Sequence, residues 1–168
     1  MNEVTKDKSS KQEKAVAEYL GGNVVVGSGA RQFHPGDVLY GRYLIECKTH
    51  MQVQDTIVFK RCFWDKIKEE ATSQFKVPML VADNGTQKIK NTFCILPYNF
   101  IHPYFRDELI YEVSLNMNIR TNLIFQFNDM KLDLCKDDGF AYCYNLDWGC
   151  DKVSVLPLCA FKQILEDD

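Results

Sequence analysis

No stretch of the 168-residue chain approaches the roughly 18 uncharged apolar residues that a membrane-spanning helix requires, so no transmembrane helix is expected. The polar start, MNEVTKDKSSKQEK, lacks the apolar core of a secretory signal and is expected to be neither leader nor anchor. Histidines number only three, at 34, 50 and 102, and no spacing makes them a zinc set; they are expected to be structural or surface residues. The seven cysteines, at 47, 62, 94, 135, 143, 150 and 159, are odd in number and never closely paired. That excludes a complete disulfide framework and points to buried free thiols in a reducing, cytoplasmic setting, cellular or that of a virus or phage.

A large basic surplus is also missing, since the net charge is −3. Its distribution is uneven: residues 1–92 carry 14 Lys and Arg against 11 Asp and Glu, a net +3, whereas 93–168 carry 6 against 12, a net −6. The first half can therefore host a phosphate backbone, and the acidic second half suits subunit contacts or a solvated face. What is present is an ordinary globular composition, 46% apolar and 12% aromatic, in a chain long enough for one main domain.

The pattern along the chain is that of an α/β protein. Ser9 or Ser10 can cap a helix that runs to Leu20, with Val16, Ala17 and Leu20 on one face and Gly21 and Gly22 as its stop. NVVVG, then Asp37 to Tyr40 and Arg42 to Lys48 around Gly41, and TIVF at 56–59 read as strands. From Cys62 to Lys76, Trp64, Ile67, Ala71 and Phe75 recur at helical spacing, which predicts a second amphipathic helix with all four in the core. MLVAD and TFCIL are a predicted strand pair across the NGTQKIKN turn. Beyond Pro97 the sequence suggests a helix at FRDELIYEVSLNM and short strands at TNLIFQF, MKLDLC, GFAYCYNL and KVSVL, then a final helix, PLCAFKQIL. FCILPYNFI at 93–101 echoes VSVLPLCAF at 153–161, but two instances do not make a repeat.

The chemistry concentrates in GDVLYGRYLIECKTH, residues 36–50. Strand alternation puts Glu46 and Lys48 on one side and Ile45 and Cys47 on the other. Asp37 lies across the expected hairpin, in plausible register beside Glu46. Two neighbouring carboxylates are costly unless one takes a proton or a cation neutralises them, and Mg²⁺ or Mn²⁺ is the natural partner. Lys48 would then orient an attacking water or steady charge on a phosphate. Glu13 lies three, four and seven residues before Val16, Ala17 and Leu20, on the stripe the helix buries, and is a candidate third carboxylate.

Helix glutamate, GSG loop, Pro with Asp, and Glu-Cys-Lys, in that order, resemble the PD-(D/E)XK nuclease superfamily, in particular the archaeal-type and phage Holliday junction resolvases. The similarity covers roughly residues 9–101, extending into FWDKIKEEATSQFKVPML. It implies a restriction-endonuclease-like core of helix, mixed central sheet and helix over residues 9–101; the polar start reads separately as a flexible basic arm at 1–8, and 102–168 as a C-terminal extension of short strands and a final helix. It also implies metal-dependent catalysis by Glu13, Asp37, Glu46 and Lys48, with the Cys47 carbonyl a further metal ligand beside the three carboxylates. Ser28, Arg31, Lys60, Arg61 and Lys66 would contact DNA, and symmetric cutting of a branched substrate would call for a homodimer. The family's proline directly before the aspartate is displaced here, with Gly36 between Pro35 and Asp37.

Plainer readings stand beside these. Ser10-x-x-Glu13 is also a capping box. Glu46 and Lys48 also fit a solvated pair, Asp37 a turn residue, and Lys60, Arg61, Lys66 and Lys68 a solvated face. The resulting expectation is a Mg²⁺-dependent endodeoxyribonuclease acting on branched DNA. The alternatives are a repair or restriction-type nuclease acting on duplex or single-stranded DNA, and a nuclease-fold module that binds DNA or protein without cleaving.

Overall fold

The chain's alternating and helical patterns resolve, in a computed structural model that describes residues 3–25, 36–106, 110–138 and 140–166, into strands interleaved with helices. In order these are α1 (Glu3–Leu20), β1 (Asn23–Val24), β2 (Val38–Tyr40), β3 (Tyr43–Lys48), β4 (Thr56–Phe59), α2 (Arg61–Ser73), β5 (Val77–Asp83), β6 (Thr92–Pro97), α3 (His102–Arg106), β7 (Ile110–Ile119), β8 (Leu123–Gln126), α4 (Phe127–Leu134), β9 (Ala141–Trp148), β10 (Asp151–Pro157) and α5 (Leu158–Glu166). Eight strands form one sheet in the order β1-β2-β3-β5-β6-β10-β9-β7, and β4 pairs with β8 in a separate ribbon. Among the described residues only β3 with β5 and β7 with β9 run parallel; the other pairs are antiparallel. The parallel β3–β5 pair needs a long crossover, and β4 with α2 supplies it.

Both faces of the sheet are covered, so its central strands alternate between two cores rather than between core and water. On one face Val16, Ala17 and Leu20 of α1 and Phe161 and Ile164 of α5 pack on Tyr43, Ile45, Cys47, Met79 and Val81. On the other, Trp64, Ile67 and Ala71 of α2, the β4–β8 ribbon and Met130 of α4 pack on Leu44, Leu80, Phe93 and Ile95. Hence β3 sends Ile45 and Cys47 toward α1 and leaves Leu44, Glu46 and Lys48 facing α2.

Several expectations change. The first helix begins at Glu3 rather than at Ser9 or Ser10, and the Lys8 ammonium donates to the Met51 carbonyl at 2.6 Å, so residues 3–8 belong to α1 rather than to a separate arm. A capping box at Ser10 is therefore ruled out, since Ser10 sits inside the helix. Phe75 is 97% exposed, because α2 ends at Ser73 and Phe75 adopts φ 55° beyond it. The stretch expected to be helical at 105–117 carries strand β7 instead: Tyr111, Val113 and Leu115 recur every second residue. MKLDLC is helical rather than extended, since Met130 and Leu134 are buried four residues apart while Leu132 is 74% exposed. Three of the seven cysteines, Cys62, Cys150 and Cys159, are exposed, although all seven are free.

The expected boundary at residue 101 coincides with no break in the sheet. Residues beyond it supply β7, β9 and β10 to the same sheet, and β10 pairs directly with β6. The echoing segments at 93–101 and 153–161 prove to be neighbours, antiparallel about Ile95 opposite Val155. The acidic second half also meets the basic first half. Asp151 accepts from Arg61 at 2.8 Å, Lys68 at 2.7 Å and the Trp64 indole at 3.1 Å. Among the described residues no helix is long and apolar enough to cross a membrane.

Candidate functional site

Gly36 turns the chain into β2 at φ +67°, and a Cβ there would stand 2.8 Å from the Leu44 side chain. Proline, fixed near φ −65°, could not adopt this conformation. The Gly36 N–H donates to Glu70 Oε2 of α2 at 3.0 Å. Asp37 follows, its N–H on the Ile45 carbonyl at 2.7 Å. Its side chain turns back onto β3, where Oδ2 accepts from the Cys47 N–H at 2.8 Å. Asp37 is thereby fixed beside Glu46, and both are nearly inaccessible, 8% and 4% exposed.

Three oxygens converge on the Lys48 ammonium. Its Nζ is 2.5 Å from Glu46 Oε1, 3.1 Å from the Cys47 carbonyl and 3.9 Å from Asp37 Oδ2. Lys66 of α2 takes the other Glu46 oxygen at 3.3 Å and Glu70 at 3.6 Å. Burial, then the nearby Glu46 charge, pushes the Asp37 carboxyl up to about 6; Lys48 and the Cys47 N–H offset part of the rise, and Glu13 adds to it. Burial works against the Lys66 charge, but Glu46 and Glu70 lift its pKa above the ordinary value.

Glu13 is half-buried on α1 and its charge is felt at Asp37, yet its Oε1 accepts from Ser9 Oγ at 2.8 Å instead of from the cluster. Its neighbour Gln12 is the more buried, at 2%. Gln12 Nε2 donates to the Lys48 carbonyl at 2.8 Å, and its Oε1 has no hydrogen-bond partner among the described residues. Sequence reasoning passed over Gln12, although 12, 16 and 20 share a helix face as 13, 17 and 20 do. It also passed over Glu70, for which only the i,i+4 spacing from Lys66 was available as a signal.

The basic residues divide. Lys66 joins the cluster. Arg61 pairs with Asp65 at 3.0 Å and Asp151 at 2.8 Å and donates to the Trp148 carbonyl, so it ties α2 to β10 rather than facing a phosphate. Lys60 is exposed and has no carboxylate partner among the described residues; its Nζ lies 5.6 Å from the Phe63 ring centroid. Ser28 and Arg31, with His34 and the rest of the GSG loop, lie outside the described residues.

The donor set suits a hard divalent cation. Two carboxylates and a carbonyl already surround one positive charge, and Mg²⁺ takes one or two carboxylates and keeps waters elsewhere. Among the described residues no group of three or more His, Cys, Asp or Glu side chains could hold a metal ion. The ammonium of Lys48 and a metal ion would compete for the same oxygens. Comparisons with protein-family models, curated proteins and solved structures find no match to this chain.

Proposed function

We propose that the chain is a divalent-metal-dependent endodeoxyribonuclease built on a restriction-endonuclease-like core, with Asp37, Glu46, Lys48 and the Cys47 carbonyl as its centre. The observation that carries this is the convergence of three oxygens on one cation between two carboxylates that are almost wholly buried. Asp37, Glu46 and the Cys47 carbonyl would hold Mg²⁺ or Mn²⁺, which when bound supplies Lewis acidity and lowers the pKa of an attacking water. Asp37 holds its place through the Cys47 N–H and Glu46 through Lys66. Lys48, released from Glu46, offers its ammonium to charge that builds on the phosphate during attack. Glu13 and Gln12 of α1 border the cluster as supporting residues. Hydrolysis breaks the P–O bond to the leaving sugar oxygen and transfers the water's oxygen to phosphorus.

Branched DNA is the substrate class that follows from the resemblance, with a homodimer as the cutting unit. Incubation with a four-way junction, a linear duplex and a single strand of matched sequence, each with and without Mg²⁺, separates junction resolution from repair or restriction-type cleavage. Asp37→Asn and Glu46→Gln are expected to abolish cutting while leaving the fold intact.

One observation favours a binding module that does not cleave. Lys48 and Lys66 already neutralise Glu46, and Glu13 is turned to Ser9. In that case Mn²⁺ leaves thermal stability unchanged and the parent matches Asp37→Asn in every cleavage assay.

A further inference from the structure

Beside Lys48 opens a cavity of about 230 Å³ whose lining includes Lys48, Thr49, Lys60, Phe63, Ala82 and Asp83. Burial grades steeply across it. Lys60 is exposed, Lys48, Thr49 and Phe63 are half-buried, and Ala82 and Asp83 are buried at 3% and 0%. The rim is cationic, with the Lys48 and Lys60 ammoniums 4.8 Å and 5.6 Å from the Phe63 ring centroid. The floor is a carboxylate. Asp83 Oδ1 accepts from Thr49 Oγ1 at 2.6 Å and from the Gly85 N–H at 2.8 Å, while Oδ2 is buried with no hydrogen-bond partner among the described residues. A buried acceptor left without a donor is uncommon and calls for one.

The lining thus combines two ammoniums on exposed or half-buried residues, an aromatic ring and a wholly buried carboxylate with an acceptor to spare. A phosphate does not suit the floor, where it would meet a carboxylate. A nucleotide suits the whole length, with its phosphate against Lys60 and Lys48, its base against Phe63 and an amino group toward Asp83 Oδ2. The volume lies below that of a drug-sized site and excludes a base pair.

We propose that this cavity takes one unpaired nucleotide of a DNA strand, with preference for a base carrying an exocyclic amino group. The placement deepens the nuclease reading and rests on it for the role of Lys48 at the adjoining phosphate; the cavity's own chemistry does not depend on cleavage. Asp83→Asn tests it with little disturbance, because the amide oxygen keeps the bonds from Thr49 and Gly85 and only the orphan acceptor becomes a donor.

Binding of oligodeoxycytidine and oligodeoxyuridine of one length is measured by fluorescence anisotropy in EDTA, where no cutting occurs. The two bases differ chiefly in amine against carbonyl. The parent protein is expected to bind the cytidine strand about tenfold more tightly, Asp83→Asn to reverse that order, and Phe63→Leu to weaken both by about tenfold. Equal affinity of the parent for the two strands overturns the proposal, as does an Asp83→Asn protein, folded by circular dichroism, that keeps the parent's order. Base preference without any cleavage in Mg²⁺ would sink the nuclease reading alone, and cleavage without base preference would sink this one alone.

Discussion

Replacing Asp37 by asparagine should make the protein more stable at neutral pH, although it removes a residue placed at the centre of the site. In the folded chain the Asp37 carboxyl titrates at about 6 against an ordinary 3.8, because burial and the Glu46 charge both disfavour its ionised form. A carboxyl whose pKa is raised on folding holds its proton more tightly in the native state. Its contribution to stability is therefore complete below about pH 4 and is lost as pH climbs through about 6. At 1.36 kcal/mol per pH unit the interval corresponds to about 3 kcal/mol at most. The replacement amide carries no charge to desolvate, and its oxygen can still accept from the Cys47 N–H. Urea midpoints of parent and variant should agree near pH 4 and separate progressively up to about pH 7, the variant being more stable by about 2–3 kcal/mol there. Taking the difference cancels the titration of every other group. A variant that is less stable than the parent at neutral pH, or a difference independent of pH, would refute the argument that two carboxylates are forced together at a stability cost.

Lys48→Met leaves Lys66 as the one cation on Glu46 among the described residues and should destabilise the protein by about 3–5 kcal/mol at neutral pH; addition of Mn²⁺ should restore more of the melting temperature than it adds to the parent, because the competing ammonium is gone. Under the binding-module alternative Mn²⁺ restores nothing. Phe75→Gly should raise stability by about 1 kcal/mol, since Phe75 sits 97% exposed at φ 55° and contributes no core contact to offset its strain; a thermal melt checks this. Arg61→Ala should cost about 1–2 kcal/mol by denaturant titration and leave DNA affinity nearly unchanged, because its guanidinium is committed to Asp65 and Asp151 rather than to solvent.

Much of the fold is legible where a residue's local period and its tertiary surroundings agree. Val16, Ala17 and Leu20, or Trp64, Ile67 and Ala71, declare a helix face and pack as one. The errors fall where one pattern admits two periods. Tyr111 to Ile119 alternates every second residue, yet its first residues also fit a helix; the neighbouring β9 decides for strand. Met130, Leu132 and Leu134 read as alternation, but only the first and third meet the sheet, so the segment packs as a helix. Phe75 reads as a fourth core position because helical spacing says nothing about where the helix stops.

The sequence by itself determined that Glu46 and Lys48 share one side of a strand and Cys47 faces the other, because that follows from the backbone's two-residue period. It determined the isolation of the cysteines and the uneven charge as well. Only the tertiary structure decided that Asp37 folds back onto the Cys47 N–H, that Lys66 crosses from α2 to Glu46, and that Arg61 is drawn away to Asp151. These partnerships join residues between 10 and 90 positions apart. Such distances are closed by sheet order and helix packing, which arise from burial summed over the whole chain and leave no mark in the local pattern.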